Sequence, residues 1–143
     1  MFKSLDISAS GMLAERMRLE VISSNMANIN NTERVNGQVY KRKQAILKSN
    51  SDVCSNNFSD LIVGVKVSEI IEDNTASKLI YDPEHPDAIQ SDDELNGYVE
   101  KPNVDMNKEM VDMLNAQRGF EANAKTFEIM RDIINTSLSI GNS

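Results

Sequence analysis

The chain has 143 residues, which is enough for one modest hydrophobic core. Its formal net charge of −7 argues against a nucleic-acid binder, because binding phosphates requires a basic surface. Its single cysteine, Cys54, excludes a disulfide within the chain and lies in a polar stretch typical of an incidental loop thiol.

The charge is distributed unevenly along the chain. Residues 1–50 carry 8 Lys and Arg against 4 Asp and Glu, whereas residues 51–143 carry 7 against 18. Opposite signs would favour pairing of the two parts or head-to-tail contact between copies. A solvated, uneven surface is the simpler interpretation.

The first predicted element is an amphipathic helix from about Ser4 to Ile29, followed by an Asn-rich turn. It forms a first domain of residues 1–32. Apolar residues recur every seven positions, at Leu5, Met12, Leu19 and Met26. This spacing predicts a coiled-coil-like seam along one face of the helix.

The middle domain, residues 33–103, is predicted to be rich in strands and loops. All three prolines lie in this domain and all eight methionines lie outside it, so that its composition disfavours helix. Alternating apolar residues and β-branched runs predict four strands. They cover about 39–47, 63–71, 78–81 and 97–100.

The last domain, residues 104–143, is predicted to be one long helix from about Val104 to Ile140. Pro102 precedes it, Asn103 or Asp105 can cap its first turn, and Gly141 can end it. Gly119, in its middle, either permits a close backbone approach or is neutral. A second seven-residue series runs through Met106, Met113, Phe120, Phe127 and Ile134. The predicted fold class is therefore α+β, with long N- and C-terminal helices pairing as a coiled-coil-like unit around a small β-rich middle segment.

Residue patterns for catalysis or metal binding are missing from the sequence. His85 is the only histidine, and the acidic run 92–94 lacks the ligand alternation of a calcium loop. No glycine-rich phosphate loop and no nucleophile elbow occur. The sequence therefore predicts no enzyme, no cofactor and no metal site. It also predicts no direct membrane insertion and no cleavable secretory signal, because no apolar run is long enough.

Short motifs occur in order along nearly the whole chain. The first helix contains Asp6–Met12 and a Ser-x-Asn-x-Ala-Asn run at 23–28. The later motifs are Gly37–Lys43, Tyr81–Ala88, Gly97–Val104, Glu109–Met113 and Arg118–Asn123. Their order and the chain length resemble the FlgC family of bacterial flagellar rod proteins, within the wider group of axial rod and hook subunits.

The resemblance implies a structural subunit of the proximal rod of the flagellar basal body. Such subunits polymerise through their terminal helices into a hollow drive shaft that transmits torque, with the middle segment on the outside. The implied partners are other copies, other rod subunits, the rod-to-ring junction protein and the flagellar type III export apparatus. The implied location is the periplasmic rod, reached without cleavage of a signal peptide.

The seven-residue series and the motifs together nominate subunit-interface residues. They are Leu5, Met12, Leu19, Ile22, Met26, Ala27, Asn28, Met106, Met113, Phe120, Asn123, Phe127 and Ile134. An alternative interpretation is a soluble helical adaptor, or an export-chaperone-like protein, that binds one partner helix. Such an adaptor would be fully helical as a free monomer, whereas a rod subunit would exchange its terminal amides rapidly.

Overall fold

The computed structural model describes residues 2–34, 38–50, 63–90 and 94–141. Within these residues two terminal helices flank four short strands, which confirms the predicted α+β class. The elements are α1 (Phe2–Ala27), β1 (Lys43–Ser49), β2 (Val65–Glu72), β3 (Lys78–Tyr81), β4 (Tyr98–Lys101) and α2 (Met106–Gly141). Cys54 and the first two residues of the acidic run 92–94 lie outside the described residues.

The described residues group into two compact units, and each unit contains part of both helices. Unit 1 comprises residues 2–20, 45–50, 63–70 and 113–141. Unit 2 comprises residues 21–34, 38–44, 71–90 and 94–112.

The end of α1 is fixed by the asparagine that follows it. The backbone N–H of Asn28 donates to the Ser24 carbonyl at 3.2 Å, and its side-chain Nδ2 donates to the same oxygen at 2.8 Å. The side chain thus occupies a carbonyl that a further helical turn would need. This geometry confirms the predicted Asn-rich turn.

The start of α2 is capped by Asp105, one of the two predicted caps. Its Oδ1 accepts a hydrogen bond from the backbone N–H of Asn107 at 2.9 Å, which satisfies a free amide of the first turn. The other candidate, Asn103, has a different role, because its side chain bonds to the backbones of Arg42 and Asp73.

The strands form two small sheets, one of β1 with β2 and one of β3 with β4. In the second sheet the strands are antiparallel, and Tyr81 pairs directly with Tyr98. Their rings meet edge to face with centroids 5.2 Å apart. Gly97, with φ of 79°, turns the chain into β4 against the Tyr81 ring, in a conformation that other residues rarely adopt.

The sheet of β1 and β2 begins later along β1 than the sequence predicts. The strand starts at Lys43 rather than at Val39. The N–H groups of Arg42 and Lys43 donate to the side chains of Asn103 and Asn25, at 2.8 and 2.9 Å. Because side chains take these donors, the regular strand begins only at Lys43.

The two units differ in the side chains that they bury. Unit 1 buries Ala14 and Ala116, whose small side chains allow helices to approach closely. Unit 2 buries larger apolar side chains, among them Ile22, Val99 and Val104. Among the described residues, neither helix is both long and apolar enough to cross a membrane.

Candidate interface residues and a buried polar cluster

Asn25 lies at the centre of a buried polar cluster in unit 2. Its Nδ2 donates to the Lys43 carbonyl at 2.8 Å and to Glu109 Oε2 at 3.0 Å. Its Oδ1 accepts from the Tyr40 hydroxyl and from the Lys43 N–H, both at 2.9 Å. All four hydrogen-bonding positions of the amide are therefore used, which compensates for its complete burial.

Arg42 and Glu109 form the ionic part of the same cluster. Arg42 Nε donates to Glu109 Oε1 at 2.6 Å, and a second guanidinium nitrogen, Nη2, donates to Asp112 Oδ2 at 3.1 Å. Glu109 is 0% exposed and Arg42 is 4% exposed. A buried pair of this kind is costly to break, because removing one partner leaves the other charge buried and uncompensated.

Asn103 connects the backbone around this cluster. Its Oδ1 accepts from the Arg42 N–H at 2.8 Å, and its Nδ2 donates to the Asp73 carbonyl at 2.9 Å. Through these contacts the end of α1, the start of β1 and the first turns of α2 are held in one arrangement. The cluster therefore fixes the relative positions of these three elements within unit 2.

Asp73, beside Asn103, stabilises the turn that follows β2. Its Oδ1 accepts from the Thr75 N–H at 3.0 Å. Hydrogen bonds from the backbone and then the side chain of Thr75 hold the pKa of the Asp73 carboxyl below its usual value.

The two helices approach closely within unit 1. A Cβ atom added at Gly11 would lie 2.8–2.9 Å from the side chain of Asn123. A Cβ atom added at Gly119 would lie 3.1–3.3 Å from the side chain of Glu15. Gly119 leaves room for the Glu15 side chain, which favours the close-approach role over the neutral one among the two interpretations that its sequence position allowed.

The nominated interface residues differ in their exposure. Most are half-buried within the chain, so that each keeps part of its surface available for a neighbour; these are Leu5, Met12, Leu19, Met26, Asn28, Met113, Asn123, Phe127 and Ile134. Ala27, Met106 and Phe120 are exposed. Ile22 is buried in unit 2.

A second set of apolar side chains, which was not nominated for the interface, is more exposed than the nominated ones. On α1 they are Leu13 and Met17; on α2 they are Met110, Val111, Leu114, Ile129, Ile133, Leu138 and Ile140. Four-residue steps link several of them, as in 13 and 17, 110 and 114, and 129 and 133. That spacing was readable in the sequence, but the interface was nominated from the more regular seven-residue series.

The polar cluster was also missed, although each of its members lies in a motif. Asn25, Arg42 and Glu109 belong to three separate motif blocks. A usable signal was Glu109 itself, because a carboxylate three residues after Met106 falls on the apolar side of the last helix.

Metal-binding clusters are not found in the part of the chain that the structure describes. His85 lies in a turn, where its Nδ1 accepts a hydrogen bond from the Asp87 N–H at 3.1 Å. This contact gives the imidazole a local structural role in the loop.

Comparison with known proteins identifies both ends of the chain. A family model described as "Flagella basal body rod protein" matches residues 5–34. A second, described as "Flagellar basal body rod FlgEFG protein C-terminal", matches residues 95–140. The first match covers nearly all of α1 and the turn that follows it, and the second covers β4 and nearly all of α2.

Whole-chain relatives agree with these matches. A protein of Bacillus subtilis named flagellar basal-body rod protein FlgC is 40% identical, over 98% of this chain and 97% of the relative. Proteins of the same name from Borreliella burgdorferi and Aquifex aeolicus are 36% and 39% identical, over 98% and 92% of this chain.

These matches define a class of protein, the structural rod proteins of the bacterial flagellar basal body, which are not enzymes. The predicted resemblance is thereby confirmed, and the adaptor alternative receives no support. Within that class, the chain belongs to the FlgC family of flagellar basal-body rod proteins.

Proposed function

We propose that copies of this rod subunit polymerise through α1 and α2 to form part of the hollow, torque-transmitting proximal rod. One observation carries the proposal: a chain of the FlgC family exposes large apolar side chains along both terminal helices. Examples are Leu13, Met17, Phe120 and Ile133. Exposed apolar surface of this extent is typical of a protein–protein contact.

The proposed contacts are formed by the nominated residues other than Ile22, which is already buried in its own chain, and by the more exposed set. Completing the burial of a large apolar side chain gains up to about 1.5–3 kcal/mol. Holding long helices in order costs about 1–2 kcal/mol of backbone entropy per residue. Contacts with neighbouring copies would therefore supply stabilisation that a single chain lacks, and methionines adapt well to slightly different neighbours.

The proposed partners are other copies, other rod subunits, the rod-to-ring junction protein and, during export, the flagellar type III export apparatus. The proposed location is the periplasmic part of the basal body. The match to the rod family begins at residue 5, inside α1. We propose that the subunit is exported without cleavage of a signal peptide, with the matched helix α1 intact.

An Asp substitution on either helix tests the assembly role. In a strain that lacks the native gene, Leu19→Asp or Phe120→Asp should abolish swimming and incorporation into purified basal bodies. The reason is that each variant places a charge where a neighbour's apolar surface would cover it. Swimming on soft agar and immunoblots of basal bodies measure the two effects.

Matched variants on exposed polar positions of the same helices are Ser23→Asp and Gln117→Asp, and both should swim normally. Thermal unfolding of the purified variants separates misfolding from failed assembly. Normal swimming and incorporation of both Leu19→Asp and Phe120→Asp would refute the assignment of the interface to these helix faces.

A further inference from the structure

One edge of the sheet formed by β3 and β4 is open in the described part of unit 2. There β3 pairs with β4 alone, and the two strands form a sheet of their own. Leu79, Ile80 and Tyr81 are 48%, 45% and 65% exposed, so three consecutive large side chains of β3 face solvent. A two-stranded sheet is only marginally stable in water, and a further strand on the open edge would stabilise it.

The hydrogen bonds around β4 show which backbone groups of β3 face the open edge. Tyr98, directly opposite Tyr81, uses both its N–H and its carbonyl on residues outside β3. The bond between the strands comes at the next position, where the Asp82 N–H donates to the Gly97 carbonyl at 2.9 Å. Because hydrogen-bonded pairs alternate along an antiparallel ladder, the N–H and C=O groups of Tyr81 and Leu79 point away from β4. They are the groups that an added strand would bind.

The charges at the two ends of β3 specify which strand fits this edge. Lys78 lies two residues before Ile80, and Asp82 lies two residues after it. Lys78 Nζ donates to the uncharged Val104 carbonyl at 3.3 Å, and the residue opposite Lys78 on β4 is a second cation, Lys101. Within the described residues neither Lys78 nor Asp82 belongs to an ion pair. An acidic side chain beside Lys78 and a basic one beside Asp82 would therefore be favourable.

We propose that the open edge of β3 pairs with the same edge of a second copy, antiparallel and centred on Ile80. In this register Leu79 of each copy lies opposite Tyr81 of the other, and their outward backbone groups are exchanged in regular pairs. Lys78 of each copy lies opposite Asp82 of the other. Every pair across the contact is thus apolar with apolar or cation with anion, whereas an in-register parallel pairing would put like charges side by side.

The contact is isologous, because each copy contributes the same edge. It closes as a dimer about a two-fold axis and does not extend from copy to copy. It is formed by the middle segment rather than by the terminal helices, and it belongs to the unassembled subunit. There it covers an edge that would otherwise accept strands from unrelated chains. The pairing is therefore an additional interaction, independent of the proposed rod contacts.

Charge exchange at the two ends of β3 tests the pairing in the purified full-length chain. All proteins carry Cys54→Ser, so that this thiol cannot link copies, and sedimentation velocity over a concentration series measures the dimer. The series extends to high concentration, because so short an edge buries little surface and the dimer is expected to be weak. Lys78→Asp and Asp82→Lys each put like charges opposite one another twice. Each should raise the dissociation constant of the dimer by about tenfold or more.

Restoring the opposite charges should restore the dimer. The double variant that combines Lys78→Asp with Asp82→Lys has both pairs with their signs reversed, and its dissociation constant should return close to that of the Cys54→Ser protein. An equimolar mixture of the two single variants also brings opposite charges together in the mixed dimer. The mixture should therefore dimerise more tightly than either single variant alone. Both positions are exposed, so the substitutions do not disturb the buried part of unit 2.

A cysteine at the centre of the register tests its geometry. Ile80 would lie opposite Ile80 of the second copy in a non-hydrogen-bonded pair, where Cα atoms are about 4.5 Å apart, within the range of a disulfide. Oxidation of Ile80→Cys in the Cys54→Ser background should therefore yield covalent dimers on a non-reducing gel. Leu95→Cys is the matched control, because Leu95 is equally exposed, at 45%, and its carbonyl bonds to Tyr98 on the side of β4 away from β3. It should remain monomeric.

Four results would overturn the strand pairing. They are monomers throughout the concentration series, single variants that dimerise as tightly as the Cys54→Ser protein, a double variant or mixture as weak as the single variants, and equal cross-linking of Ile80→Cys and Leu95→Cys. None of these results bears on the proposed function, which the swimming and incorporation of the helix variants test separately.

Discussion

Asn25 shows how one side chain can determine the geometry of a fold. Its side-chain amide forms hydrogen bonds with both the N–H and the carbonyl of Lys43 and with the carboxylate of Glu109. It therefore joins α1, β1 and α2 within unit 2. All four hydrogen-bonding positions of the amide are used. A shift of one element by one residue relative to the others would therefore break several buried hydrogen bonds. The Ser-x-Asn-x-Ala-Asn motif therefore has a structural reason for its central asparagine.

The ion pair beside Asn25 gives the first prediction. Arg42→Met should lower the free energy of unfolding by about 3–5 kcal/mol, because Glu109 would be left charged and buried without its partner. Urea denaturation of the purified variant measures the change.

The matched control for Arg42→Met is Arg16→Met. Arg16 pairs with Glu20 at 3.1 Å, but both side chains are exposed, and such pairs contribute about 0–1 kcal/mol. If the two Met variants lost equal stability, the buried pair would have no special role.

At the scale of the elements, the contact between α1 and α2 in unit 1 depends on a glycine. Gly11→Ala should destabilise the protein by about 1–3 kcal/mol, because the new methyl group meets Asn123 at less than 3 Å. Asn123 is poorly placed to yield, since its Nδ2 is bonded to the Gly119 carbonyl at 2.9 Å. Thermal or urea unfolding provides the measurement.

A double-mutant cycle distinguishes this steric effect from a change in helix propensity. Asn123→Ala removes the atoms that a Cβ at Gly11 would meet, so Gly11→Ala should cost much less in that background. Gly141→Ala is the control, because the space around Gly141 is open. Equal costs of Gly11→Ala with and without Asn123 would show that the helices do not approach closely at this point.

The secondary structure was largely predictable from the sequence, because its signals are local. The periodicities of the two helices and of β2 gave their positions to within a few residues. The late start of β1 was not predictable in this way, because the side chains that take its first donors come from Asn25 and Asn103, distant in sequence.

The candidate site was less predictable than the fold, and the reason is sequence separation. Arg42 and Glu109 are 67 residues apart, and Asn25 and Glu109 are 84 apart. No periodicity links residues at such distances, so only the folded chain brings the three together. The exposed faces of the helices were not predictable for another reason, because the exposure of a side chain depends on which residues the rest of the folded chain covers.

At the scale of the whole molecule, stability should be unevenly distributed along the isolated chain. Unit 2 holds the polar cluster and the buried Val99 and Val104, whereas the outer parts of both helices expose apolar side chains. Contacts with neighbouring copies are expected to stabilise those outer parts. The subunit would then keep its terminal helices loosely ordered until it is incorporated in a rod.

Hydrogen exchange of the purified subunit, compared with the same subunit in basal bodies, tests this distribution. In the free protein, amides of β4 and the first turns of α2 should be protected, and those of residues 2–20 and 124–141 should exchange rapidly. In the rod, the terminal amides should become slow, while those of β4 change little and serve as the internal control. If the free protein already protected both terminal segments as strongly as β4, neighbouring copies would have nothing left to stabilise. Assembly driven by the covering of these helices would then lack its physical basis.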